Sequence, residues 1–148
     1  MDYTERVSEV LVPLAVEYPD SLGIATHQSA WYNVENFHRV FLLIEIGDMA
    51  QGASLWVDLH EATSAAGADE ADINATTDVT TTETLTAGVD DNTLHCIECR
   101  TEEFDNGFNY VSVVAEVMGA AVEMSWQLFG AVPRYSPGTQ TGWSSVTD

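Results

Sequence analysis

Apolar and polar residues alternate with a period of two over much of this chain, most clearly between Phe108 and Leu128 (FNYVSVVAEVMGAAVEMSWQL). Val111, Val113, Ala115 and Val117 alternate with Tyr110, Ser112, Val114 and Glu116, and Val122, Met124, Trp126 and Leu128 alternate with Glu123, Ser125 and Gln127. A helical period would scatter the valines and Trp126 around an axis, so the segment reads as two strands. Gly119-Ala120 between them fits a two-residue type II′ turn, with glycine in the first central position. That turn predicts an antiparallel hairpin in which Val117 faces Val122, Ala115 faces Met124, Val113 faces Trp126 and Val111 faces Leu128. The same register opposes Glu116 to Glu123 and Tyr110 to Phe129. One face is a continuous apolar strip and the other is mixed, as a half-buried sheet requires.

Other segments follow the same rule. Ser8 to Tyr18 reads as a strand that Pro13 confines to an edge or a bulge, with a helix before Pro13 as the alternative. A short strand is expected around Ser29 to Tyr32. Arg39 to Ile46 (RVFLLIEI) places Val40, Leu42, Ile44 and Ile46 on one side and Phe41 and Leu43 on the other. Being apolar on both faces, it predicts a central strand. Ser54 to Glu61 sets Leu55, Val57 and Leu59 opposite Trp56, Asp58 and His60, and pairs with the preceding strand as a second, longer-looped hairpin. From Thr63 to Asn92 the chain turns to Ala, Thr, Asp and Gly, which predicts loops with one or two modest strands, one within Asp78 to Ala87. Thr93 to Arg100 is a further strand, and Thr101 to Gly107 a turn. From Gly130 the sequence GAVPRYSPGTQTGWSSVTD predicts an extended arm. Seven or eight short strands, mostly antiparallel, predict an all-β antiparallel β-sandwich of jelly-roll type. The sandwich domain spans 1–132 and the C-terminal arm 133–148.

Charge narrows the function. The chain has 24 Asp and Glu residues against four Lys and Arg, all four of them arginine, for a net charge of −20. Phosphate backbones are bound by clustered cations, and anionic lipid attracts them too, so neither nucleic acid nor a membrane surface is an expected partner. An acidic surface of this kind keeps a protein soluble and away from DNA, or belongs to a chain working in molar salt, where the Debye length falls to ~3 Å and like charges hardly interact; the absence of lysine favours the second. The first residues, MDYTERVSEV, lack the apolar segment of a signal peptide. No run of ~20 apolar residues could span a bilayer.

Catalytic signatures are missing. The sequence contains no GxSxG, HExxH, phosphate-binding loop or dinucleotide fingerprint. Cys96 and Cys99 fall on opposite faces of a strand, which suits neither a shared metal nor a disulfide. His27, His38, His60 and His95 lie on separate segments, and His60 is expected to be an exposed histidine. Asp69, Glu70 and Asp72 carry oxygen ligands suited to calcium but lack the Asp-x-Asp-x-Asp-Gly order, so they read as a solvated loop. Asn74-Ala75-Thr76 matches the glycosylation triplet, a pattern frequent by chance. No enzyme activity, metal or cofactor is expected. Contact residues are more visible. Tyr110 and Phe129 would sit together on an outer face, and Arg134, Tyr135 and Trp143 supply arginine and aromatic anchors on the tail.

Taken in order, the segments RVFLLIEIG, LWVDLHEATSAAG, DNGFNYVSVVAEV and LFGAVPRYSPG resemble small virion structural proteins of tailed bacteriophages and archaeal tailed viruses. The resemblance runs over residues 34 to 138, and its most particular pieces are Asp105 to Val111 and Gly130 to Gly138. It implies a capsid decoration or minor capsid protein, assembled in the host cytoplasm and placed on the capsid exterior. The implied partners are the major capsid protein and copies of itself, as a symmetric oligomer, a trimer. The acidity and the missing lysine depart from bacterial-phage members and suit a virus of a halophilic archaeon. A head–tail neck or tail component is the alternative within virions. Trp31, Trp56 and Trp143 keep open a carbohydrate-binding β-sandwich that recognises a host glycan.

Overall fold

A computed structural model describes residues 7–73 and 82–134. One helical turn (Val7–Val10) precedes β1 (Leu11–Leu22), β2 (Ala25–Gln28), β3 (Tyr32–Asn33), β4 (Phe37–Met49) and β5 (Ser54–Ala62). Then come β6 (Ala71–Asp72), β7 (Thr82–Thr86), β8 (Leu94–Arg100), a 3₁₀ turn (Thr101–Glu103), β9 (Tyr110–Met118) and β10 (Val122–Pro133). Both readings of the first segment have a place: helix over Val7–Val10, strand from Leu11.

The strands form two antiparallel sheets. The front sheet runs β1-β10-β4-β8, and the back sheet runs β2-β9-β5, with β6 and β7 both on the far edge of β5 and β3 beside β9. The chain changes sheet at every connection except β2–β3, β5–β6 and β6–β7. Between the sheets lies one apolar core built from Val40, Leu42, Ile44, Leu55, Val57, Leu59, Leu85, Ile97, Val111, Val113, Val122 and Leu128 with their neighbours. This is an all-β sandwich. Pro13 sits on edge strand β1, where the register slips between Pro13 and Ala15, so its missing N–H breaks no central ladder. β4 is central, between β10 and β8, as its two apolar faces require.

Both expected hairpins are instead arches between the sheets. β9 pairs with β2, β3 and β5, whereas β10 pairs with β1 and β4. Likewise β4 lies in the front sheet and β5 in the back. Gly119 does take positive φ (77°), but the Ala120 N–H donates to Met118 O at 2.9 Å, so the chain reverses in a γ-turn rather than a type II′ turn. The inner wall survives this change of partner. Val111, Val113, Val117, Val122, Trp126 and Leu128 are all buried, because strands joined by an arch turn the same alternating residues toward one core.

Three further expectations change. Glu116 pairs with Trp56 and Thr26 while Glu123 pairs with Ser21, so the two acids do not oppose each other. Residues 130–133 belong to β10, not to an arm: Gly130 pairs with Val12 and Val40, leaving no room for a Cβ under the Phe37 ring. The short strand around Ser29 to Tyr32 is split, with β2 ending at Gln28 and β3 starting at Tyr32. The Asn74-Ala75-Thr76 triplet lies outside the described residues.

Candidate functional site

Each sheet has an outer face, and the two differ in chemistry. On the front sheet, alternation in β4 turns Phe41 and Leu43 outward, opposite the core residues Val40, Leu42 and Ile44. Register then sets Pro13, Phe129, Phe41 and Glu98 in one row across the sheet, and Val16, Gln127, Leu43 and Cys96 in the next. Leu94 continues the strip beside Glu45 and is 63% exposed; Val16 is 52% exposed. Phe41 and Phe129 make a tilted ring contact with centroids 6.2 Å apart. The result is an apolar band, bordered by the Arg39–Glu98 ion pair (2.8 Å).

Of the expected contact residues, only Phe129 falls on this band, and there it is buried rather than exposed. Tyr110 begins β9 in the back sheet, paired with Asn33 and Ala62, so Tyr110 and Phe129 are not neighbours. Arg134 is engaged within its own domain. Its backbone N–H donates to Asn36 O (2.7 Å), its Nε to Phe37 O (3.3 Å) and its Nη2 to Thr101 Oγ1 (3.1 Å). These bonds clamp the end of β10 onto the start of β4 and the 3₁₀ turn, beside a cavity of about 360 Å³ also lined by Phe104 and Phe108. Tyr135 and Trp143 lie outside the described residues.

The outer face of the back sheet is polar. Alternation in β5 points Trp56, Asp58 and His60 outward together, and β6 sets Asp72 directly across from His60. The intervening loop folds back tightly, with Gly67 (φ 75°) and Asp69 (φ 57°) in the left-handed region. An added Cβ on Gly67 would stand 2.5 Å from the Trp31 indole nitrogen, so glycine lets the Trp31 ring lie on this loop. The return brings Glu70 Oε1 to 2.7 Å from His60 Nδ1, and Gln28 Nε2 donates to that same oxygen at 2.7 Å. His60 Nε2 faces Asp72 Oδ1 at 3.0 Å and Asp58 Oδ2 at 3.7 Å. His60 is thus only one-fifth exposed and ringed by carboxylates, not a lone surface histidine. The sequence held each half of this cluster separately, and only the β5–β6 return joins them.

Other ionisable groups are buried or scattered. Cys99 faces the core while Cys96 is exposed, as alternation requires, and burial pushes the Cys99 thiol up to about 12. Glu61 is wholly buried at the end of β5; its Oε2 accepts the Asp105 N–H at 3.0 Å. Burial raises its carboxyl above the usual value, the Asp105 N–H opposes that, and the Asp105 charge adds to it. A cavity of about 560 Å³ on the front sheet is edged by Asp20, Glu45 and Glu123, with Ser125 Oγ donating to Glu45. On β8 and the loop before it, Thr93 Oγ1 lies 2.7 Å from His95 Nε2, with Asp90 Oδ1 3.8 Å from the same nitrogen.

No protein-family model matches this chain, and comparison with curated proteins finds no significant relative.

Proposed function

We propose that the protein is a non-enzymatic virion structural component that decorates and stabilises the capsid shell of a tailed virus as a symmetric oligomer. The observation that carries this reading is the set of Pro13, Val16, Phe41, Leu43 and Leu94 on the outer face of the front sheet, around a buried Phe129, in a chain with net charge −20. A large acidic excess keeps the rest of the surface wet, so apolar side chains gathered on one sheet face mark where another surface is meant to exclude water. Strand order supports the shell-protein class. Taking β1, β2, β4, β5, β7, β8, β9 and β10 as the eight principal strands, the sheets run first-eighth-third-sixth and second-seventh-fourth-fifth. That interleaving suits a jelly roll, an architecture shared by viral capsid and lectin domains.

The mechanism is mechanical. Interface buried only in the assembled shell shifts the equilibrium away from dissociation by mass action. The dense carboxylate surface repels packaged and host nucleic acid. To test it, shells stripped of this protein are offered the wild-type chain and the Leu94→Asp and Phe41→Ser variants. Saturable rebinding by the wild type, lost in both variants while each stays folded, supports the reading. Equal rebinding by all three removes it.

One observation favours a second reading, a glycan-binding sandwich. Trp56 is 46% exposed on the back sheet, beside Glu116 and two residues from Asp58. Trp31 is spent on Gly67 and Trp126 on the core, which leaves Trp56 as the stacking platform among the described tryptophans. Retention on a glycan array that Trp56→Ala abolishes would favour it.

A further inference from the structure

We propose that Asp58, His60 and Asp72 form a binding site for a divalent transition-metal ion of the zinc class on the outer face of the back sheet. One imidazole nitrogen and two carboxylate oxygens lie there within 4.8 Å of one another. Three ligands of a tetrahedral ion at bond lengths near 2.0–2.2 Å sit roughly 3.4 Å apart, so only small side-chain shifts separate this set from coordination.

The hydrogen bonding chooses the ligating nitrogen. Glu70 Oε1 is an acceptor at 2.7 Å from Nδ1, so that nitrogen carries its proton, and Gln28 fixes the Glu70 oxygen from the other side. A carboxylate on the remote nitrogen is the usual support of a metal-bound histidine. Nε2 is left facing two carboxylate oxygens, at 3.0 and 3.7 Å. Three acceptors cannot converge on one point without a cation or a further proton between them. The three arginines among the described residues are engaged elsewhere: Arg39 pairs with Glu98, Arg100 with Glu102, and Arg134 binds Phe37 and Thr101.

The donor set also selects the metal. Calcium and magnesium take oxygen ligands, whereas imidazole with carboxylates suits zinc and its first-row neighbours. Asp72 is 76% exposed, which leaves an entry path and an open fourth position for water. The ion would tie β5 to β6 and hold the 63–70 loop on the sheet. This site is independent of the virion reading and stands or falls without it.

The test is calorimetric titration of the metal-free full chain in molar salt with Zn²⁺, with Ca²⁺ as comparison, alongside thermal midpoints with and without metal. The expected result is saturable one-to-one Zn²⁺ binding that raises the midpoint and exceeds Ca²⁺ binding. Glu70→Gln should weaken Zn²⁺ by about 10–100-fold through its support of the imidazole. His60→Gln and Asp72→Asn should lose it, with metal-free midpoints near the wild type showing that both still fold. No saturable Zn²⁺ binding would overturn the proposal, and so would retention in His60→Gln or Asp72→Asn. Ca²⁺ binding as tight as Zn²⁺ would overturn it as well. A histidine that is simply protonated gives the first of these results.

Discussion

The α-carbon of Gly119 lies against the carbonyl oxygen of Gly52, so that the β9–β10 arch rests on the β4–β5 arch backbone to backbone. A Cβ on Gly119 would overlap that oxygen, and φ of 77° already disfavours any L side chain. Gly52 has φ of 85° but open space where its Cβ would be. Gly52→Ala should therefore cost only the left-handed penalty, about 1–2 kcal/mol. Gly119→Ala must add displacement of an arch and should cost clearly more. Thermal midpoints of the two variants check this, at roughly 2–4 °C per kcal/mol for a chain of this size. Equal midpoints would mean that the arches do not touch.

Glu61 gives the fold a pH signature. Its folded pKa lies above the unfolded 4.5, so its contribution to stability is complete below 4.5 and is lost as pH rises through the folded value. Glu61→Gln keeps an oxygen for the Asp105 N–H and removes the charge. The stability of the variant relative to the wild type should climb with pH above 4.5, by up to ~1.4 kcal/mol per pH unit within the window, then level off. Denaturant unfolding of both proteins from pH 4 to neutral measures the difference. A flat difference would place the carboxylate in a solvated site.

Arg134 acts inside the domain. Arg134→Ala removes two side-chain hydrogen bonds that join β10 to Phe37 and Thr101. At ~0.5–1.5 kcal/mol for each bond, discounted for the exposed guanidinium, a loss of about 1 kcal/mol is expected in the isolated protein. A midpoint unchanged in solution, with shell binding weakened, would return Arg134 to the role of contact anchor.

Salt should stabilise the isolated protein. With 24 acids against four arginines, lowering salt from molar to ~50 mM leaves the carboxylates unscreened and repelling. The thermal midpoint should fall across that range. A constant midpoint would remove the link to high salt and leave the sandwich as it is.

What the sequence revealed follows from what alternation encodes. A period of two says which side chains share a face, and Val111, Val113, Val122, Trp126 and Leu128 are buried accordingly. It does not say which strand lies alongside, because a hairpin and an arch bury the same alternate residues. Two details of the hairpin register hinted at the error. It opposed Glu116 to Glu123, and it left Tyr110 and Phe129 together in water. In the sandwich Glu116 borders Trp56 in the back sheet, while Phe129 and Phe41 meet on neighbouring strands of the front sheet. The His60 cluster was hidden for a different reason. Its members come from β5, β6 and the loop between them, and Gln28 from β2 completes it, so no local spacing announces them. Arg134 looked like a free anchor because hydrogen bonds to backbone carbonyls leave no trace in sequence.

Stoichiometry in intact virus particles tests the proposed role most directly. The chain is quantified against the major capsid protein by mass spectrometry of purified particles. The expected result is a copy number that scales with the shell, one chain for each capsid subunit or a fixed fraction of them. A count matching a single ring at the neck, or absence from the particle, would contradict it.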